Sequence, residues 1–247
     1  MEKNLKVFLI VLGEIGAGLT VCLISLKIFN ELREGIFGNE ITYIDETLSW
    51  LVYSFRNPVL TEIMKVITFF GSGFWLGGWA ALAIVFLIIK KHRTSALLFA
   101  LSLIVCVGIN LTLKHFIDRP RPSLAPLIIE KTTSFPSGHA MNSFVFYFTL
   151  AYFVYHFTKN QYLLARYLAI AIIIVSLIGL SRVYLGVHYP SDVVAGYSAG
   201  FAWLLVTLVI QKTLYFYRVF KVKVSPAYST KVKAKPLRLP RPVRPIR

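Results

Sequence analysis

The sequence predicts an all-α protein: a six-span transmembrane helical bundle with an amphipathic extracytoplasmic helical segment between spans one and two. Three observations predict it. Of the 247 residues, 56% are hydrophobic and only 15% charged, against roughly 25% charged in soluble domains, too few to clothe a water-facing surface. Six apolar runs approach the ~20 residues that cross a bilayer. Basic loop residues gather on one side of those runs, as they do on the cytoplasmic side of membrane proteins.

The first run covers residues 6–29. It is long for the apolar region of a signal peptide and no small-x-small cleavage site follows it. Val21 before Cys22 is also unlike a lipoprotein site, so the run is read as a span. Glu14 lies inside it, and an ionisable group there is expected to hydrogen-bond another helix. Residues 30–71 mix acids with Trp50, Phe55, Phe69 and Phe70, which predicts an amphipathic helix at the membrane interface. The remaining spans are expected near 72–90, 95–114, 139–157, 163–183 and 191–215.

Placing the N-terminus in the cytoplasm puts Lys3, Lys6, Lys90, Lys91, Arg93, Lys159 and Arg166 inside, with Glu31, Glu34, Glu40, Asp45, Glu46 and Glu62 outside. Both termini are then cytoplasmic in a multi-pass plasma-membrane protein, and segments 115–138 and 184–190 are extracytoplasmic. The membrane domain is expected over 1–220. Residues 221–247, rich in Lys, Arg and Pro, are expected to be a disordered tail drawn to anionic lipid by about 1 kcal/mol per basic residue. The net charge of +16 does not imply nucleic acid, because residues 212–247 hold 11 of the 27 Lys and Arg and no acid. Cys22 and Cys106 fall in apolar runs and are read as free packing thiols.

Three clusters place charge beside spans at one depth: Lys114 to Pro122, Pro136-Ser137-Gly138-His139, and Ser181-Arg182 with His188 and Asp192. Phosphoryl transfer requires cations and oriented donors around the transferring oxygens. Lys114, Arg121 and Arg182 supply cations. Ser137 and Gly138 open a helix whose N-terminal N–H groups favour an anion. Asp192, four residues after His188, can hydrogen-bond one imidazole nitrogen and leave the other free to attack. His139 can serve as general acid and then base. Arg119 and Lys131 are read as snorkelling anchors, His92 and His156 as solvated, and His115 as structural.

Lys-x6-Arg-Pro (Lys114 to Pro122), Pro-Ser-Gly-His (136–139) and Ser-Arg-x5-His-x3-Asp (181–192) together resemble the signature of the type 2 phosphatidic acid phosphatase superfamily. The resemblance covers roughly 72–215. Within the family the chain most resembles bacterial phosphatidylglycerophosphate phosphatases of the membrane branch, whose relatives also act on undecaprenyl pyrophosphate and phosphatidic acid.

The resemblance implies a lipid phosphatase with His188 as nucleophile through a phosphohistidine, Asp192 as its orienting acid and His139 as proton donor. It implies Lys114, Arg121, Ser137, Gly138 and Arg182 as the phosphate pocket. It further implies no cofactor and no metal, a membrane lipid phosphate as substrate and the bilayer as partner. A phosphotransferase using the same site is the nearest alternative. The related vanadium haloperoxidases are soluble, unlike this chain. A transporter would need a polar path through the midplane, for which Asn110 and Asn142 are the main candidates.

Overall fold

Among the residues described by the computed structural model, 2–123 and 126–224 with side chains between 12 and 214, every regular element is a helix. In chain order these are α1 (Glu2–Phe37), α2 (Thr42–Tyr53), α3 (Pro58–Phe69), α4 (Gly73–Ile89), α5 (Arg93–Ile117), α6 (Gly138–Thr158), α7 (Gln161–Tyr184) and α8 (Pro190–Val224). The segment read as a basic tail lies outside the described residues from 225 onward.

Local chemistry sets the boundaries. Asn57 caps α3 by accepting from the Leu60 N–H, with Pro58 at the first helical position, where a missing N–H costs nothing. Ser72 caps α4 through Trp75 N–H, and Ser137 caps α6 through Ala140 N–H. Asp118 ends α5 in the left-handed region, at φ 46°.

Five helical stretches are long and apolar enough to cross a membrane: Leu12–Phe37, Pro58–Ile89, Arg93–Ile117, Gln161–Tyr184 and Pro190–Leu214. Their outward side chains are large and apolar, including Leu23, Ile89, Ile104 and Phe74, which lipid accommodates and water does not. The protein is a multi-pass membrane protein.

The span expected at 72–90 corresponds to helix α4 (Gly73–Ile89). The helical stretch that contains it, Pro58–Ile89, is broken at Phe70–Ser72 into α3, which carries the Glu62–Lys65 pair, and α4. One expectation is altered. The span expected at 139–157 is helix α6, whose length suffices but which is absent from the five most apolar stretches. Its sequence keeps His139, Asn142, Ser143, Thr149 and several tyrosines. The physical reason lies in its position. It packs against α4, α5 and α7 and buries Met141, Ser143, Val145, Phe146, Thr149 and Phe153. Neighbouring helices shield its polar groups from lipid.

Residues 30–71, expected to hold one amphipathic helix, contain the end of α1 and two short helices. In α2 the buried face is polar, with Asp45, Ser49 and Tyr53. Its exposed face carries Tyr43, Ile44, Leu48, Trp50 and Leu51.

By its internal contacts the chain divides into Met1–Thr207 and Leu208–Arg247. Within the first unit, glycines let helices meet closely. A Cβ on Gly196 of α8 would lie 2.7 Å from the Ser137 carbonyl oxygen at the start of α6, and one on Gly200 would lie 3.0 Å from that of Met141. One core cluster joins Phe29 of α1, Cys106 of α5, Met141 and Val145 of α6, and Ala195 and Ala199 of α8. Of the second unit, Leu208–Val224 continue α8.

Candidate active site

The turn between α7 and α8 presents His188. Gly186 takes a left-handed conformation at φ 74°, which a residue without a Cβ adopts freely. Pro190 then starts α8 and places Asp192 in its first turn. The Asp192 Oδ2 atom accepts from the Tyr189 N–H at 2.8 Å and from the Ser134 hydroxyl, and lies 3.4 Å from His188 Nδ1. The other imidazole nitrogen, Nε2, is 3.2 Å from Arg121 Nη1. A guanidinium only donates, so Nε2 carries the lone pair and the proton resides on Nδ1, facing Asp192.

His188 is 1% exposed. Burial pushes its pKa down to about 4; the hydrogen bond and charge of Asp192 oppose that shift, while Arg182 and Arg121 add to it. The imidazole is therefore neutral at physiological pH, the form a nucleophile needs.

His188, His139, Lys114, Arg121, Arg182 and Gly138 all line one cleft of about 200 Å³. Lys114, in the last turn of α5, donates to the carbonyl oxygens of Thr133 and Ser134. Arg121 donates to the carbonyl oxygens of Thr132 and Val187, at 2.6 and 2.5 Å. Arg182, near the end of α7, donates to Thr68 Oγ1 at 2.9 Å and to the Glu130 carboxylate. The Arg182 Nε–H, also buried, has no acceptor. A buried guanidinium donor without an acceptor, in a cleft with two further cations, is suited to an anion.

Gly138 lines the cleft beside Asn110, whose Oδ1 would stand 2.8 Å from a Cβ there. Gly71, in the α3–α4 break, closes the cleft near His139: a Cβ there would be 2.6 Å from Ile178 Cγ2 and 3.2 Å from the His139 ring. Ser137 does not line the cleft. It is fully buried, its N–H donates to the Asp192 carbonyl oxygen at 2.9 Å, and its hydroxyl caps α6. It thus ties α6 to α8 and positions Gly138 and His139.

Glu130 is a feature missed in the sequence. It lines the cleft and pairs with Arg182. Burial alone would raise its pKa, but Arg182, with Arg121 and His188, holds it below the usual carboxylate range. Nothing in the sequence separates this acid from a solvated loop residue.

Arg119, read as a snorkelling anchor, is 6% exposed and is corrected to an internal residue. Its Nη1 donates to Asp192 Oδ1 at 2.6 Å and its Nη2 to Asp45 Oδ2 at 2.7 Å. Asp118 turns the chain inward just before it. Lys131, His92 and His115 are exposed. His156, read as solvated, is half-buried and stacks on Tyr152. Both cysteines are free and buried, and Cys106 donates to Asn142 Oδ1 at 3.2 Å.

Comparison with known proteins follows the same residues. The family model described as the PAP2 superfamily matches residues 95–216. Phosphatidylglycerophosphatase B of Bacillus subtilis is 35% identical over 173 residues, covering 68% of this chain and 84% of that protein. A putative undecaprenyl-diphosphatase of Escherichia coli is 26% identical over 68% of this chain and 78% of its own length. Among solved structures, the transmembrane PAP2 type phosphatidylglycerolphosphate phosphatase from Bacillus subtilis superposes with a TM-score of 0.71 at 32% identity. That match covers 83% of this chain and 98% of the other.

Proposed function

The chain belongs to the PAP2 superfamily, and from that premise we propose that it is an integral membrane phosphatase that hydrolyses a phosphomonoester or pyrophosphate of a membrane lipid. Phosphatidylglycerophosphate, undecaprenyl pyrophosphate and phosphatidic acid are the substrates its relatives and the sequence signature point to. One observation carries the reading: a buried, neutral His188, backed at Nδ1 by Asp192, turns Nε2 into a cleft furnished with Lys114, Arg121 and Arg182.

In this mechanism the lipid phosphate enters the cleft and its oxygens take donors from Lys114, Arg121, Arg182 and the N-terminal N–H groups of α6. The Nε2 lone pair of His188 attacks phosphorus as the bond to the lipid oxygen breaks, and His139 gives that oxygen a proton. Asp192 stabilises the positive charge that develops on the imidazole. Water then attacks the phosphohistidine, His139 accepts its proton, the P–N bond breaks, and inorganic phosphate leaves. Six spans, with α6 as the fourth, cytoplasmic termini and an extracytoplasmic cleft complete the reading. Three cations around the cleft disfavour a divalent metal ion there, so the reaction runs on the chain's own groups.

Purified protein is expected to release phosphate from these lipids in the presence of EDTA and to be blocked by vanadate. His188→Ala is expected to lose several orders of magnitude in kcat, as loss of a nucleophile does (on the order of 10⁴-fold or more), and to form no acid-labile phosphoprotein. Near-normal turnover by His188→Ala, or abolition by chelator with every lipid, refutes the mechanism.

A further inference from the structure

Helix α2 lies outside all three motifs, yet its Asp45 is 1% exposed and faces the N-terminus of α8. Asp45 Oδ1 accepts from the Ser191 N–H at 2.9 Å, and Oδ2 accepts from the Ser191 hydroxyl at 2.5 Å and from Arg119 Nη2 at 2.7 Å. Arg119 Nη1 in turn donates to Asp192 Oδ1 at 2.6 Å and to Ser191 Oγ at 2.9 Å. Its guanidinium also stands 4.2 Å over the ring of Tyr189, the residue next to His188. From this geometry we propose that Asp45 and Arg119 are positioning residues that act through Asp192 to orient and charge-balance His188, which makes α2 part of the catalytic apparatus. The proposal rests on the phosphatase reading above.

The chemistry divides between the two oxygens of Asp192. Arg119 holds Oδ1, so Oδ2 is left for the Tyr189 N–H, the Ser134 hydroxyl and His188. The carboxylate cannot rotate without breaking one of these bonds. Charge balance supplies the need for Asp45. A single Arg119 facing a single Asp192 makes a neutral pair, and the carboxylate then has little field to offer an imidazole. With Asp45 the three side chains sum to −1, and that charge faces His188. It opposes Arg121 and Arg182 at the moment the imidazole becomes cationic on bonding to phosphorus. A buried ion triad is weak evidence of a stability role, since apolar residues of similar volume often serve as well or better. A role in orienting the nucleophile accounts for its placement.

The test uses the full chain in detergent with a lipid phosphate as substrate and vanadate as inhibitor, comparing Asp45→Asn, Arg119→Gln and Arg119→Lys. The groups facing His188 from the packed elements, Asp192, Ser134, Glu130, Lys114, His139, Arg121 and Arg182, remain in every variant. Asp45→Asn is expected to lower kcat about 10- to 100-fold, the cost of misplacing a reacting group by about an ångström. KM and vanadate affinity are expected to stay within about threefold, because the cleft cations are untouched. Arg119→Lys keeps a charge but not the fork, and is expected to fall between Asp45→Asn and Arg119→Gln.

A second readout does not use turnover. In ¹⁵N-histidine spectra the His188 signals, identified by their loss in His188→Ala, are expected to move from the Nδ1–H tautomer toward Nε2–H in Asp45→Asn. An Asp45→Asn enzyme with kcat within about threefold of the parent overturns the proposal, as does loss of vanadate binding equal to the loss of kcat. If the parent hydrolyses no lipid phosphate, the phosphatase reading fails by itself. The spectra then decide the relay, and an unchanged His188 tautomer overturns it.

Discussion

His188 and Glu130 show how position outweighs residue type at this site. With a folded pKa near 4, His188 stays neutral throughout the range where a free imidazole, at about 6.5, protonates. Stability and nucleophilicity are therefore lost in the same direction: the unfolded chain binds the proton first, so folding weakens as pH falls from about 6.5 toward the folded value. Arg121 is one of the cations that depresses the folded value. Arg121→Gln is expected to raise it, moving the acid limb of kcat/KM to higher pH than in the parent. Substrate ionisation is common to both profiles and cancels in the comparison. An unmoved limb would mean that His188 is not the group titrating. Glu130 occupies a donor of Arg182 that a phosphate would use, so Glu130→Gln is expected to tighten inhibition by vanadate several-fold (about 1 kcal/mol for one weakened competing contact). Weaker inhibition would show that the carboxylate helps to hold the anion. At this scale the sequence singled out His188, His139, Lys114, Arg121, Gly138 and Arg182, and all six line the cleft. It misread Arg119 because an arginine at the end of a span looks the same whether its fork turns to headgroups or inward.

Helices α6 and α8 meet through Gly196 and Gly200, spaced one turn apart, where a Cβ would press on the backbone oxygens of Ser137 and Met141. Small residues at such spacing let membrane helices approach closely, and here the approach also aligns Gly138 and His139 with Asp192. Gly196→Ala is expected to lower the thermal midpoint in detergent, at a cost of about 1–3 kcal/mol, and to reduce kcat more than KM. An unchanged midpoint would show that α6 can yield there. Apolar run length makes the long helices legible in the sequence, and the motif spacing sets His139 at the start of one helix and Asp192 at the start of another. The sequence already parted residues 30–71 from the span at 72–90; it did not show that Gly71 at that break answers to Ile178 and His139, residues far along the chain. Likewise α2 reads as an interface helix from its aromatic residues, while its polar side is committed to Arg119 and Ser191.

For the molecule as a whole, the proposed topology makes opposite demands on the two ends of α5. Lys131→Cys, in the exposed loop beside the cleft, is expected to react with a membrane-impermeant maleimide in intact cells. His92→Cys, exposed at the α4–α5 turn, should react only after permeabilisation. The two native cysteines are buried and supply little background. Reversal of the pattern would invert the topology. The membrane class was determined by the sequence alone, and the sequence singled out the cations and histidines that line the cleft. Each depends on quantities that accumulate along the chain: apolar run length, charge count and the spacing of reactive groups about helix ends. Tertiary structure alone decided that Ser137 serves as cap and tie, that Glu130 sits on Arg182, and that Asp45 reaches Asp192 through Arg119. Those outcomes depend on which buried charge meets which partner between segments more than 50 residues apart. In a low-dielectric interior each such charge must be satisfied locally, and only the packed helices determine by what.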